Sequence, residues 1–178
     1  MSSAAGGSQG IRWVIVMGVS GAGKSTVGRL LAATLGWDFF DADDFHPESN
    51  VEKMASGRPL DDEDRRPWLL RLQSLIRERP ADGPGAVLAC SALKAAYRDL
   101  LDIDDPRVAL VHLQGSQELL ARRLGAREGH FMPPDLLLSQ LDTLEVPSDA
   151  VTVDIAATPE QICREIISEL GLSPAADT

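Results

Sequence analysis

Residues 18–26 constrain the fold of this 178-residue chain more than any other stretch. They read GVSGAGKST and match the phosphate-loop pattern GxxxxGK(S/T). An apolar run at residues 13–17 precedes the loop, and apolar residues at helical spacing follow it from Val27 to Leu35. A strand, a glycine loop and a helix in this order surround phosphate oxygens with backbone N–H groups and the positive end of a helix dipole. The sequence therefore predicts that the chain binds a nucleoside triphosphate.

The side chains of this phosphate loop divide by their chemistry. Lys24 is expected to reach the β- and γ-phosphates, and the Ser25 hydroxyl is expected to hold Mg²⁺. An ordinary glycine turn is the alternative, which the correct flanks on both sides disfavour. The expected nucleotide contacts within the loop are Gly18, Ser20, Gly21, Ala22, Gly23, Lys24, Ser25 and Thr26.

Composition limits the class of partner. A formal charge of −10 leaves no surplus of cations for a nucleic-acid backbone, so nucleic-acid binding is not expected. Cys90 and Cys163 lie in apolar-periodic segments and are expected to be small buried hydrophobes. No apolar run is long enough to span a membrane, and residues 1–10 lack the apolar region of a signal peptide. We expect a cytoplasmic protein with a disordered tail at residues 1–10.

Hydrophobic periodicity then alternates between strands and helices. Pro67 is expected to open one helix, and Ser91, Ser116 and Thr158 are expected to cap three others. Such alternation predicts a parallel sheet covered on both faces. The expected fold is a three-layer α/β P-loop kinase fold with a five-stranded parallel sheet and a mobile basic lid. It forms one domain, residues 11–172, before a tail at 173–178. The predicted strands are residues 13–17, 37–41, 86–90, 108–113 and 151–155.

Four further blocks resemble the bacterial-type gluconokinases. In chain order they are DADDFHPESNVEKMASG at 41–57, PLDDEDRRPWL at 59–69, CSALK at 90–94 with YRD at 97–99, and AREGHF at 126–131. Many unrelated NTPases share the phosphate loop, whereas this collinear set is far more specific. The resemblance implies transfer of the γ-phosphoryl group of ATP to the 6-hydroxyl of D-gluconate, on a fold akin to shikimate and adenylate kinases. Ala42, Asp61 and the Pro133–Pro134 pair depart from the family pattern without removing a group of obvious chemistry.

Two aspartates follow the second predicted strand, at the edge of the sheet where the phosphate loop lies. Asp43 is the candidate to accept or orient the proton of the attacking hydroxyl. Asp41 is expected to reach Mg²⁺ through water, which makes Ser25 and Asp41 the predicted metal site. An Asx turn would explain one aspartate here, but three acidic residues in four positions favour function.

Gluconate is an open chain of hydroxyls that ends in a carboxylate, so its site needs donors, acceptors and a cation. Arg65 is expected to bind the carboxylate with two parallel hydrogen bonds, and Lys53 is a possible second partner of that carboxylate. Trp68 is expected to be a core residue rather than a stacking platform. Lys94 and Arg98 either reach the substrate or face solvent. The predicted substrate contacts are Asp43, His46, Asn50, Lys53, Asp62, Arg65, Ser91, Ala92, Lys94 and His130.

The basic segment at residues 122–134 resembles the lid of this kinase group, which folds over the phosphates and excludes water. Arg127 is therefore expected to act in catalysis with Lys24 and Asp43. Arg123 and Arg127 are also expected nucleotide contacts. The alternative, a basic helix end that complements its own dipole, is preferred for Arg122 alone.

The sequence argues against two other functions. A kinase of another small hydroxy acid such as shikimate is disfavoured, because residues 90–92 read CSA where that family has three glycines. An ATP-dependent binding or switch module would need an apolar partner surface, which the sequence does not indicate. Adenine contacts are expected near residues 140–147 or after Ile155. D-gluconate is the expected partner, and a homodimer is compatible with the sequence.

Overall fold

The computed structural model describes residues 10–126 and 134–176. Its centre is a five-stranded sheet in the order β2-β3-β1-β4-β5, in which every neighbouring pair is parallel. The strands begin and end within two residues of the predicted positions, and the α/β fold class is confirmed. The strands are β1 Trp13–Met17, β2 Asp38–Asp41, β3 Ala86–Ala89, β4 Val108–Gln114 and β5 Val151–Asp154.

Helices cover both faces of this sheet. Alternate side chains of β1 point to opposite faces, so Val14 and Val16 join one core cluster while Ile15 and Met17 join the other. None of the described helices combines the length and apolar character that crossing a membrane requires. In the described residues the helices are α1 Lys24–Leu35, α2 Glu48–Ala55, α3 Asp62–Glu78, α4 Ala95–Leu100, α5 Gln117–Gly125, α6 Pro134–Thr143 and α7 Pro159–Glu169, with a 3₁₀ turn at Ala42–Phe45.

The helix predicted to open at Pro67 begins five residues earlier. Asp61 caps α3 by accepting from the Asp64 N–H at 2.8 Å, and the Asp64 carboxylate accepts from the Asp61 N–H at 2.9 Å. This reciprocal capping box and an acidic first turn favour an early start, because both satisfy or neutralise the positive end of the helix. Pro67 therefore lies inside the helix, so the prediction that it opens the helix was wrong.

The prediction that Ser91 caps the next helix was also wrong. Helix α4 begins at Ala95, and residues 91–93 form a loop in which Ala92 has the left-handed φ of 46°. The buried Arg98 guanidinium holds this loop, because it donates to the carbonyl oxygens of Ala92 and Leu93 at 2.9 and 3.2 Å. Arg98 thus neither faces solvent nor extends toward a substrate; it fixes the backbone of the loop.

Two predicted helix caps and the predicted burial of the cysteines are confirmed. Ser116 caps α5, and Thr158 forms a capping box with Gln161 at the start of α7. Both cysteines are buried and free of disulfides. Burial raises the pKa of the Cys90 thiol to about 12 and that of Cys163 to about 11, so both behave as small hydrophobes at neutral pH.

Candidate active site

A cavity of about 300 Å³ opens at the carboxyl ends of the strands, beside the phosphate loop. From β1 the chain first builds β2 and β3 on one side of it and then crosses to β4 and β5 on the other side. Ligands of open α/β sheets bind beside the strand at which the direction of building reverses in this way. The cavity brings six of the eight predicted loop residues together with both aspartates and Ser91, whereas Gly18 and Ala22 do not line it. Its lining consists of Ser20, Gly21, Gly23, Lys24, Ser25, Thr26, Asp41, Asp43, Ala89, Cys90, Ser91 and Gln140.

The phosphate loop presents its backbone to this cavity. Gly23 precedes the first residue of α1 with φ 91°, a conformation that favours glycine, and no side chain caps the helix. The first N–H groups of α1 are thus left for an anion. Lys24 curls back over the loop, where its Nζ donates to the Val19 carbonyl oxygen at 3.1 Å. The loop therefore places a cation and a ring of donors at one point.

Ser25 and Asp41, the residues predicted to hold a metal, meet at the edge of the loop. The Ser25 Oγ donates to Asp41 Oδ2 at 2.8 Å, and Asp41 Oδ1 accepts from the Asp43 N–H at 3.0 Å. A hydroxyl and a carboxylate are the hard oxygen donors that Mg²⁺ prefers, and Mg²⁺ takes its other ligands from water and phosphate. The two side chains fit that cation.

Asp43 extends from the 3₁₀ turn into the same cavity. Its side chain is 88% exposed, yet the surrounding protein partly desolvates the carboxylate and raises its pKa. The charge of Asp41 raises this pKa further, while His46 and Lys24 oppose the rise. Because solvent reaches most of the side chain, we expect Asp43 to be ionised at neutral pH, as a proton acceptor must be.

His46 lies beside Asp43 with a side chain that is only 7% exposed. Its ring stacks on Trp68, with centroids 4.3 Å apart and planes 14° apart. Trp68 is itself buried and donates its indole N–H to the Ala42 carbonyl oxygen at 2.7 Å. Trp68 is therefore a core residue, as predicted, and it also provides the surface on which His46 rests.

The tautomer of His46 follows from its hydrogen bonds. Asn50 Nδ2 donates to the Asp64 carbonyl oxygen at 2.8 Å, which fixes the orientation of the amide, and it lies 3.3 Å from His46 Nδ1. Nδ1 must then accept, so the proton is on Nε2, 3.9 Å from Asp43 Oδ1. Burial lowers the pKa of His46, although Asp43 opposes this shift. A neutral imidazole therefore directs an N–H toward Asp43.

Lys53 is engaged elsewhere. Its Nζ lies 2.6 Å from Asp64 Oδ2, the carboxylate that also closes the capping box of α3. Both side chains are about a quarter exposed, so the pair is partly shielded from solvent. Lys53 thus connects α2 to the start of α3. A substrate carboxylate, its predicted partner, would have to compete with the Asp64 carboxylate for the ammonium group.

Four side chains form what we call the acid-binding cluster: Asp62, Arg65, Lys94 and Tyr97. Lys94 Nζ lies 3.1 and 3.2 Å from the two carboxylate oxygens of Asp62, and the Tyr97 hydroxyl donates to the same carboxylate. Arg65 Nη1 donates to the Tyr97 hydroxyl at 3.4 Å and lies 4.0 Å from Asp62. Arg65 also lies close enough to His46 to lower its pKa. The cluster therefore continues the line of polar groups that begins at Asp43.

Two contacts of the site were not predicted from the sequence. Tyr97 belongs to the YRD block but was not among the predicted site residues. Gln140 on α6 accepts from the Ser20 N–H at 2.7 Å, so a residue 120 positions away contacts the phosphate loop. Gln140 begins one of the two regions in which adenine contacts are expected, but no local pattern predicted that its side chain contacts the phosphate loop.

A second cavity, of about 330 Å³, lies on the other side of the phosphate loop. Arg123 lines it and donates to the Ile155 carbonyl oxygen. The cavity thus adjoins the loop after Ile155, one of the two regions in which adenine contacts are expected. Arg127 and His130, together with most of the predicted lid, lie outside the described residues. The lining residues are Gly21, Ala22, Gly23, Thr26, Val27, Arg123, Ala126, Ala157, Pro159 and Ile162.

Comparisons with known proteins extend over nearly the whole chain. A family model described as shikimate kinase matches residues 20–171. The gluconokinase of Gluconobacter oxydans (strain 621H) is 50% identical over 159 residues, which cover 88% of this chain and 89% of that protein. The structure of a gluconokinase from Sinorhizobium meliloti 1021 matches with a TM-score of 0.78 and 44% identity, over 92% of this chain and 93% of that one. An unliganded sugar kinase from Janibacter sp. HTCC2649 matches with a TM-score of 0.82 and 42% identity, over 94% and 99% of the two chains.

Proposed function

The chain belongs to the gluconokinase family, within the shikimate kinase group of P-loop kinases, and we propose that it transfers the γ-phosphoryl group of ATP to the 6-hydroxyl of D-gluconate. One observation carries the assignment of the acceptor. Polar groups run in a line from the phosphate loop through Asp43 and His46 to the cations Arg65 and Lys94. A hydroxylated chain with a terminal carboxylate matches that order of groups.

At the nucleotide end, the phosphate loop binds the phosphates through the N–H groups at the start of α1, and Lys24 faces the γ-phosphate. Ser25 and Asp41 are the residues that would hold Mg²⁺, which would neutralise the phosphate oxygens when bound. Phosphoryl transfer requires mainly positioning and charge neutralisation, because its transition state is loose. This part of the chain supplies both.

At the acceptor end, Asp43 takes the proton of the 6-hydroxyl. The hydroxyl oxygen forms a bond to the γ-phosphorus as the bond from that phosphorus to the bridging oxygen of ADP breaks. The proton released from the hydroxyl moves to the Asp43 carboxylate. The Nε2–H of His46 faces Asp43 and the acceptor, so His46 orients the groups and remains neutral.

At the far end of the line, Arg65 receives the substrate carboxylate. Lys94 is the second cation at this position, because the side chains of Arg65 and Lys94 both contact Tyr97 and Asp62. Lys53 is less suited to the task, since its ammonium is paired with Asp64. Ser91, Ala92 and Asn50 lie between the two ends of the line or support its groups, and we assign the sugar hydroxyls to this middle part.

A kinase of shikimate is the second candidate, because the matching family model carries that description. Shikimate is a rigid ring with its carboxylate near its hydroxyls, whereas gluconate separates these groups along an open chain. Residues 90–92 also lack the three glycines of the shikimate kinases, even though Ala92 has a φ of 46°, in the region that favours glycine. The gluconokinase assignment therefore accounts for more of the site.

A coupled assay of ADP release tests the assignment, with MgATP and gluconate, shikimate or no acceptor. We expect turnover that depends on gluconate, and phosphorus NMR of the product should show a triplet, because the phosphate ester is attached to a CH₂ group. A folded protein that binds ATP but releases no gluconate-dependent ADP would disprove the proposal. A doublet would place the phosphate on a secondary hydroxyl instead.

A further inference from the structure

The acid-binding cluster is organised around one buried residue. Tyr97 is 8% exposed and packs in the core beneath the sheet, whereas the side chains of Arg65 and Lys94 are each about one third exposed. The phenol hydroxyl contacts both Asp62 and Arg65. Of the four residues, Tyr97 alone is held by packing rather than by charge.

Both cations also lie over the Tyr97 ring. The Arg65 guanidinium carbon is 5.7 Å from the ring centroid, and Lys94 Nζ is 5.5 Å from it. At these distances the negative face of an aromatic ring attracts a cation. Arg65 comes from α3 and Lys94 precedes α4, so a single ring brings together two cations from separate elements.

The charges of the cluster do not balance. Two cations share one carboxylate, so these four side chains together carry a surplus of one positive charge, although the whole chain has a net charge of −10. The Asp62 side chain is 63% exposed, because it stands at the first residue of α3 and points to solvent. An added carboxylate would neutralise the surplus, and it could replace Asp62 between the two cations without disturbing the buried ring.

We propose that Tyr97 determines the preference for acidic substrates by holding Arg65 and Lys94 as one carboxylate-binding pair, for which Asp62 is the internal counter-ion. This inference rests on the proposed function and names the residue behind its specificity. The ligand class is an open-chain sugar acid with a terminal carboxylate. Tyr97 acts through the two cations, so it is a positioning residue and takes no part in phosphoryl transfer.

The test compares gluconate with D-glucitol, the neutral open-chain analogue that carries CH₂OH in place of the carboxylate. In Tyr97→Phe the ring and its packing remain, while the contacts of the hydroxyl with Asp62 and Arg65 are lost. We expect KM for gluconate to rise ~10-fold and the kcat/KM ratio of gluconate to glucitol to fall by the same factor. The reason is that the lost hydrogen bonds join the Tyr97 hydroxyl to charged side chains, and such bonds are stronger than those between neutral groups. KM for ATP should stay within about twofold of the wild type, because the nucleotide end is untouched.

A packing control separates this role from a structural one. Leu101 is fully buried just after α4 and belongs to the same core cluster as Tyr97, so Leu101→Val disturbs the same packing while all four side chains of the acid-binding cluster remain in place. We expect this control to lower Tm while leaving the gluconate-to-glucitol ratio unchanged. If Tyr97→Phe also leaves the ratio unchanged while the wild type phosphorylates gluconate, the inference is wrong and the proposed function stands. A wild type without gluconate-dependent turnover overturns both.

Discussion

The two ends of the site are built in different ways. The phosphate loop is one stretch of nine residues, 18–26, and we expect it to bind phosphate mainly through its backbone. The proposed acceptor end takes side chains from several elements, and Asn50, Lys53, Arg65 and Lys94 each contact another side chain. A backbone site tolerates changes in most of its side chains, whereas a side-chain network depends on every member. Mutations at the two ends should therefore fail in different ways.

The largest effect is expected at the phosphate loop. Lys24→Ala removes the cation that we propose faces the transferred phosphoryl group, so kcat should fall by ~10³-fold. Tm should change little, because Lys24 lies at the edge of a cavity. The exposed cation Arg122 provides a matched control, and Arg122→Ala should keep most of the activity. A Lys24→Ala enzyme with more than about a tenth of the wild-type kcat would contradict the role of Lys24.

The next effect belongs to the acceptor end. Asp43→Asn keeps the shape of the side chain but removes the proposed proton acceptor, so kcat should fall by ~10²-fold while gluconate still binds. Rate measurements and calorimetric titration with gluconate check the two parts separately. Loss of gluconate binding with an unchanged rate at saturation would mean that Asp43 binds substrate without taking its proton.

Gln140 tests whether the phosphate loop is as independent as its sequence pattern implies. Gln140→Leu removes the acceptor of the Ser20 N–H, so KM for ATP should rise by ~5-fold with little change in KM for gluconate. Ser139 is an exposed neighbour on α6, and Ser139→Ala should leave both KM values unchanged. An unaltered KM for ATP in Gln140→Leu would show that the loop holds its conformation without help.

A substitution of Lys53 tests whether this residue stabilises the fold or binds the substrate. Lys53→Met breaks the ion pair with Asp64 beside the capping box of α3, so Tm should fall by ~3 °C. KM for gluconate should change by less than about threefold, since the ammonium is paired within the protein. A tenfold rise in that KM, with Tm unchanged, would return Lys53 to the carboxylate.

The smallest effect concerns His112, which is buried on β4 near Arg98. Among the described side chains its Nδ1 is a buried polar atom without a hydrogen-bond partner. Burial and then the charge of Arg98 lower its pKa, so the unfolded chain takes up a proton before the folded one does. Stability present above about pH 6.5 should be lost as the pH falls toward the folded pKa. When the pH is lowered from about 7.5 to about 5.5, the Tm of His112→Leu should fall by ~2 °C less than the Tm of the wild type. An equal loss in both would assign the acid sensitivity to another group, such as His46.

Patterns that depend on neighbouring residues could be predicted. The phosphate loop, the five parallel strands, the Ser116 and Thr158 caps and the buried cysteines all follow from local spacing and composition. The starts of α3 and α4 could not, because at each of them two local signals compete. For α3 the capping box at Asp61 prevailed over Pro67. At α4 the buried Arg98 holds residues 92 and 93 out of the helix.

By itself the sequence determined the fold class and the position of the phosphate loop, because a glycine loop and alternating apolar runs carry their structure with them. The roles of the acceptor residues named from the sequence stay predictions. Only the tertiary structure decided how the acceptor residues are paired. It joined Lys53 to Asp64, gathered Arg65 and Lys94 on Tyr97, and brought Gln140 to the phosphate loop. Apart from Lys94 and Tyr97, which are neighbours on one helical turn, these contacts connect residues from 11 to 120 positions apart, and no local preference encodes them. Each arises because packing the helices on the sheet brings particular side chains within reach of one another.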